Sequence, residues 1–479
     1  MKYPVLFSIS TLLLIGSLSV LPIYAADITQ VDGLEQADLP SNEAAAAWEV
    51  PATLRLDPTD FPKRAGRGAL VPQDIVLPPL SAAELQQWQQ TADEPQQRRT
   101  RIGMSRAVPN TLGEPDTWQW LAVEGGQVAH LGWRSPDAKR IRGQFVLGNL
   151  PAGVELRFYA PHDPQQVYAY THDTLKPQII QQAGEATFWS PSLAGDTLRV
   201  EVFVPEGIAP DALALRVVKL SHSVLDPLTG AVQRGTLEDN AVACFVDMAC
   251  ATPEWQLRGS STALFLVVNE DIEYFCTGEL LNNTRADGKP YFLTANHCVD
   301  SAAVATTLNS FWFYENSSCG GSDARDKVLR ADGGATLLVT DKTLDTTLLS
   351  LNKIPAQGVL FAGWSNRALP SGQAIAGIHH ALTLPKQFAL GTFVDYGTFA
   401  ASGLVRDPQG EFAVVRWLNG TTDKGASGSG LWFEEQGKYY VNGVLSRGTS
   451  SSSCERPDGI ALYGRFDQAY PLLKPWLSP

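Results

Sequence analysis

Leu293-Thr294-Ala295-Asn296-His297-Cys298 ends the short apolar strand that starts at Tyr291, and its reading decides the fold. A strand runs directly into a His, and the adjoining cysteine can tie down the turn. A general base must sit rigidly beside its partner, and a disulfide-pinned turn provides that rigidity. Further short β-patterned runs surround it: Thr262 to Val268, Thr336 to Thr340, Thr347 to Leu351, Val359 to Trp364 and Val414 to Trp417. No long helical pattern interrupts them. This spacing predicts an all-β barrel domain over residues 241–479.

A second motif lies within the same region, Lys424-Gly425-Ala426-Ser427-Gly428-Ser429-Gly430. Small residues flank Ser427 on both sides. Such a loop can turn tightly and aim successive backbone N–H groups at one point, as an oxyanion site needs. A third group must orient the imidazole. Between His297 and Ser427 the best-placed carboxylate is Asp345, just before the apolar strand Thr346-Thr347-Leu348-Leu349. Asp341 is its nearest competitor, but Asp341-Lys342 reads as an exposed hairpin turn.

Composition sets the bounds around these motifs. The chain has 479 residues, enough for two or three domains with sizeable cores. Its net charge of −13, from 37 basic and 50 acidic residues, argues against nucleic-acid binding by phosphate neutralisation. All six cysteines (Cys244, Cys250, Cys276, Cys298, Cys319 and Cys454) fall in the second half. An even count confined to one segment points to a disulfide-closed domain in an oxidising compartment. Residues 1–25 fit that compartment: Lys2, an apolar run from Val5 to Val20, and Pro22-Ile23-Tyr24-Ala25 read as a signal peptide. The expectation is a secreted, monomeric protein with no transmembrane anchor after signal removal.

Residues 26–100, rich in Pro, Asp and Ala, read as an extended arm. The capping-box pattern Ser81-Ala82-Ala83-Glu84 opens a short helix to about Ala92 within it. Residues 101–222 change to short alternating strands, such as Ile141 to Leu147 and Thr197 to Val204, which predict a small β-sandwich. Residues 223–240 read as a linker.

The motifs around His297, Asp345 and Ser427 resemble the three triad motifs of the chymotrypsin/trypsin-like serine proteases, in that family's order. The closer resemblance is to the bacterial lysyl endopeptidase branch. It is carried by Cys276-Thr277-Gly278-Glu279-Leu280-Leu281, Asn316-Ser317-Ser318-Cys319, Ala362-Gly363-Trp364-Ser365, Gly377-Ile378-His379-His380 and Tyr463-Gly464-Arg465-Phe466. The resemblance implies a double β-barrel endopeptidase acting on protein or peptide substrates, with no metal or cofactor. It implies Ser427 as nucleophile, His297 as base, Asp345 as its orienting acid, and the backbone N–H groups of Gly425 and Ser427 as oxyanion hole. It also implies the pairings Cys244–Cys454, Cys250–Cys319 and Cys276–Cys298, which six cysteines alone leave open.

The chain departs from the resemblance at two places. Ala426 stands where trypsin has the Asp that pairs with its new N-terminus, so that activation switch cannot operate here. Ala461 stands where the lysyl endopeptidases carry the acidic residue that selects Lys. An apolar side chain cannot compensate a buried ammonium. Ser446, Arg447 and His380 are the other candidates for the substrate pocket, and Arg447 at its mouth would favour an acidic or small side chain. A different class of reading is a catalytically silent homologue that binds peptides or surfaces outside the cell.

Overall fold

Alternating apolar residues between Thr100 and Ser223 fold into two facing sheets. One contains Arg140–Asn149, Ala214–Ser223, Thr100–Ala107 and Glu185–Trp189, and the other Gly126–Arg134, Thr197–Pro205, Glu155–Ala160 and Asp163–Tyr170. Phe145 stacks on Phe188 at 5.2 Å and meets Phe158 edge-on at 5.4 Å between them. Aromatic rings supply much apolar area per residue, which suits so small a core. This is the small β-sandwich that the alternation predicts. The computed structural model describes residues 28–39, 74–92, 99–109, 118–228, 244–321, 328–400, 403–448 and 459–479. The signal-peptide reading of 1–25 and most of the linker reading lie outside these.

The segment read as an arm contributes more than a tether. Its helix spans Ala82–Ala92, and Ser81 and Glu84 form the capping box, with Glu84 accepting the Ser81 N–H at 2.7 Å. Asp74–Val76 joins the sandwich parallel to Gly126–Arg134. Gln30–Val31 and Leu34–Glu35 pair antiparallel with Trp364–Ser365 and Leu360–Phe361, some 330 residues later in the chain. The expected strand from Val359 to Trp364 splits in two at Gly363. There the backbone of Val31 to Gly33 crosses so closely that a Cβ on Gly363 would lie 2.7 Å from the Gly33 nitrogen.

From Thr262 onward the chain builds two further β layers. In the first, Thr262–Asn269 and Ile272–Leu281 form a hairpin. Asn309–Trp312 and Leu329–Ala331 extend one side of it; Tyr291–Thr294, Thr346–Leu351 and Ala335–Asp341 extend the other. In the second, six strands close into a ring. Ala374–His379, Gln387–Ala400, Phe412–Asn419, Ile460–Arg465, Lys438–Gly448 and Gly430–Glu435 each pair with the next, and the last pairs with the first. The fold is all-β with a closed barrel, although the outer strands of the first layer do not pair with each other among the described residues.

A C-terminal helix, Phe466–Leu477, went unanticipated because Pro471 and Pro475 lie inside it. Proline interrupts helices when it removes an N–H that would be bonded. Here packing overrides that local signal: Phe466, Ala469, Tyr470, Leu473 and Leu477 are all buried, and Phe466 stacks on Trp364 at 5.5 Å. Among the described residues no helix is long and apolar enough to cross a membrane.

Candidate active site

Asp345 ends the tight turn between Ala335–Asp341 and Thr346–Leu351, at a φ of +50°. Asp341 Oδ1 shapes that turn by accepting the Leu344 N–H at 2.8 Å. Gly464 lets it seat, since a Cβ there would lie 1.9 Å from the Leu344 carbonyl oxygen. The Asp345 carboxylate is thereby buried, with 2% of the residue exposed. Its Oδ1 accepts the His297 backbone N–H at 2.9 Å, and its Oδ2 lies 2.8 Å from His297 Nδ1. Ser446 Oγ donates to the same Oδ2 at 2.6 Å. Burial pushes this carboxyl up, but the His297 charge and the donors from His297 and Ser446 outweigh it and hold Asp345 well below the usual carboxylate range. An ionised Asp345 fixes the tautomer in which Nδ1 carries the proton and Nε2 accepts. His297 Nε2 is buried and makes no hydrogen bond among the described residues.

Two of the implied disulfides are present. Cys276–Cys298 ties the turn after His297 to the Ile272–Leu281 strand, and Cys250–Cys319 joins the domain's first turn to a later loop. Cys454 lies outside the described residues. Cys276, His297 and Cys298 are the one cluster of metal-ligand types that lies close enough to share an ion, among the described residues. Both sulfurs there are bonded to each other and cannot ligate.

The Ser427 loop is docked on the same strand. The Thr277 N–H donates to the Ser427 carbonyl at 2.9 Å, and Thr277 Oγ1 donates to the Gly425 carbonyl at 2.9 Å. The Gly428 N–H donates to the Leu445 carbonyl at 2.9 Å. Gly425 and Gly428 have φ of +96° and +88°. A Cβ on Gly425 would lie 2.1 Å from the Phe275 ring, and one on Gly428 2.2 Å from Thr294 Oγ1. Only glycine meets both demands. The Ser427 carbonyl also lies 3.8 Å from Cys298 Sγ, which places the loop beside the His297 turn.

The pocket candidates separate. Ala461 is buried at 1% exposure in the Ile460–Arg465 strand, opposite Val415 and Gly448. Arg447 holds its guanidinium over Phe399, 4.6 Å from the ring centroid, and within 5.8 Å of Phe412. Ser446 turns its hydroxyl to Asp345. The register shifts between Leu445 and Arg447, and this irregularity accompanies the hydroxyl's turn toward Asp345. The His380 ring is fully buried and stacks on Tyr314 at 5.7 Å; burial, then the nearby Lys386 charge, pushes its pKa well down. Its backbone carbonyl would lie 3.2 Å from a Cβ on Gly425.

Residues 76–224 match the lysyl endopeptidase N-terminal domain, and residues 238–464 match the lysyl endopeptidase C-terminal domain. The lysyl endopeptidase of Pseudomonas aeruginosa is 31% identical over 397 residues, spanning 79% of this chain and 81% of that protein. The chain belongs to the lysyl endopeptidase family. Family membership makes it a trypsin-fold protease. Among solved structures, the HtrA-type protease AlgW with tripeptide aligns at 12% identity and a TM-score of 0.31, covering 47% of this chain and 62% of that one.

Sequence reasoning missed Glu279, two residues beyond Thr277, which contacts the loop. It is fully buried and accepts from Ser261 and Thr262 Oγ at 3.1 and 2.9 Å and from the Gly430 N–H at 3.4 Å. Burial pushes its carboxyl up to about 7. Its only signal was a charged residue inside the otherwise apolar Gly278 to Leu281 run.

Proposed function

We propose that the protein is a secreted serine endopeptidase. Ser427 attacks a peptide carbonyl while His297 Nε2 takes its proton, forming a C–O bond and a tetrahedral oxyanion. The backbone N–H groups of Gly425 and Ser427 hold that oxyanion. The C–N bond then breaks, His297 returns the proton to the leaving amine, and an acyl-enzyme remains. Water, activated by the same imidazole, hydrolyses it. Asp345 orients His297 and stabilises the imidazolium. The observation that carries this reading is the ionised Asp345 on His297 Nδ1 beside the Ser427 loop. The division into a β-rich domain over 101–222 and a catalytic domain over 241–479 belongs to the same reading. Secretion is supported by residues 1–25 and by the two disulfides, which persist in oxidising compartments.

Lys is not the residue selected. Ala461 offers no charge at the position where the family's acidic residue stands, and an unpaired ammonium is costly to bury. Arg447 favours an acidic or small side chain. Fluorophosphonate labelling of the wild type, lost in Ser427→Ala, is the expected result; absence of labelling in folded wild type means a silent homologue. A peptide-library profile dominated by Lys at the cleaved position would refute the specificity.

A further inference from the structure

Thr277 and Glu279 stand two residues apart in Ile272–Leu281, and so share one face of that strand. Both side chains reach the Ser427 loop. Thr277 Oγ1 donates to the Gly425 carbonyl at 2.9 Å, at the entrance to the loop. Glu279 Oε1 accepts the Gly430 N–H at 3.4 Å, at its exit. Gly430 has no room for a side chain, since a Cβ there would lie 2.9 Å from Glu279 Cγ and 3.2 Å from Trp432 Nε1. Ser427 thus lies between two side-chain anchors from a single strand. Leu445 also holds the exit, its N–H donating to the Ser429 carbonyl at 2.8 Å.

The two anchors differ in kind. Thr277 is neutral, whereas Glu279 is a fully buried carboxyl that forms no ion pair among the described residues. Its surroundings accommodate both charge states. Ser261 Oγ lies 3.1 Å from Glu279 Oε2 and 2.7 Å from the Arg258 carbonyl oxygen. A protonated Glu279 donates to Ser261, which donates onward to Arg258. An ionised Glu279 accepts from Ser261, and from Thr262 Oγ1 at 2.9 Å. Tyr463, from Ile460–Arg465, is a buried titratable group that feels its charge. Charged side chains on the other packed elements are turned elsewhere: Arg258 lies over the Tyr439 ring, Glu435 pairs with Arg367, Lys438 with Asp32, and Arg447 covers Phe399. A glutamine would fill this space without a buried charge to desolvate. An ionised acceptor, in return, makes a stronger hydrogen bond than a neutral one.

We propose that Glu279 is a positioning residue for Ser427. Ionised, it holds the exit of the loop through the Gly430 N–H; protonated, it loosens that hold. The enzyme thereby carries a proton-operated control separate from His297. Burial raises the Glu279 carboxyl to about 7, so the change of state falls near neutrality, with the held form above it. The inference rests on Ser427 being the nucleophile.

The test is the pH profile of kcat/KM on a p-nitroanilide substrate, for the full mature chain and its Glu279→Gln variant. The acid limb of the wild type should need two ionisations, and that of the variant one. The variant should match wild type in acid and fall about tenfold below it above neutrality, the difference between a charged and a neutral acceptor. Profiles of the same shape, superimposed or offset by a constant factor, overturn the proposal, because a merely structural side chain acts alike at every pH. A variant as fast as wild type above neutrality overturns it too. If Glu279→Gln does not fold, a wild-type acid limb with a single ionisation still does so. Fluorophosphonate labelling separates the two possible failures. Labelled wild type with parallel profiles overturns only the role of Glu279, and absence of labelling overturns the enzyme reading and this inference with it.

Discussion

Asp345 takes three donors at once: the His297 N–H, the His297 Nδ1–H and the Ser446 hydroxyl. A carboxylate can accept all three; a carboxamide presents an N–H₂ to one of them. Asp345→Asn should therefore lower kcat on the order of 10⁴-fold, the scale of the general triad. Ser446→Ala removes one charge-assisted hydrogen bond and should cost about 10- to 100-fold, with Ser446→Thr recovering part of it. Steady-state kinetics on a chromogenic substrate separates the two. An unchanged Ser446→Ala enzyme would mean that the hydroxyl does not help to position Asp345. Glu279 gives a prediction about stability. Its folded-state pKa of about 7 lies above its ordinary 4.5, so the protonated form is the one that folding favours. That contribution is complete below about pH 4.5 and lost as pH rises through about 7. Glu279→Gln should match wild type in acid and exceed it above neutrality by roughly 3 kcal/mol at most. Urea unfolding at pH 4.5 and pH 8 reads this directly; equal differences at the two pH values would sink it. His297, Asp345 and Ser427 were legible because each sits in a local motif. The roles of Ser446 and Glu279 were not, because each depends on partners from distant strands.

Among elements, the informative ones are those whose local sequence misleads. The C-terminal helix carries two prolines, yet five buried side chains at helical spacing hold it on the barrel. The Leu360–Phe361 and Trp364–Ser365 strands are short because Gly363 passes beneath the chain from Val31 to Gly33. No local pattern announces that crossing, since the two segments are hundreds of residues apart. The strand pairing there comes with Asp32, whose carboxylate accepts from Tyr440 OH at 2.8 Å. Gly363→Ala drives a methyl into backbone atoms 2.7 Å away, and those atoms cannot give as a flexible side chain would. The expected outcome is release of the Gln30–Glu35 segment, at a cost of about 1–3 kcal/mol. Hydrogen exchange at the Val31 and Trp364 amides should accelerate while exchange in Ile460–Arg465 stays slow. Protection unchanged at Val31 would show that the crossing tolerates a methyl.

At the scale of the whole molecule, the N-terminal sandwich and the first β layer share one sheet, through Ala214–Ser223, Thr100–Ala107 and Ile272–Leu281. The join is polar inside. Glu273 is fully buried, accepts from the Ser221 and Ser223 hydroxyls, and faces Arg142 Nη1 at 3.8 Å. Arg142 is itself buried and donates to the Thr307 carbonyl at 2.8 Å; burial brings its guanidinium down to about 10. Removing one member of a buried pair strands the other charge and costs about 3–5 kcal/mol, whereas replacing both by apolar side chains is often neutral. Arg142→Met should thus lower stability strongly, and Arg142→Met with Glu273→Leu should restore much of it. Because the pair bridges the two regions, the loss should appear as one shifted transition in thermal unfolding followed by tryptophan fluorescence, Trp133 and Trp189 reporting from the sandwich, Trp312 from the first β layer and Trp432 from the closed barrel. Two separate transitions, with only the sandwich signal displaced, would show that the regions unfold independently. The shared sheet would then be a contact between autonomous domains, and the Thr100–Ala107 strand could leave its edge without unfolding the protease.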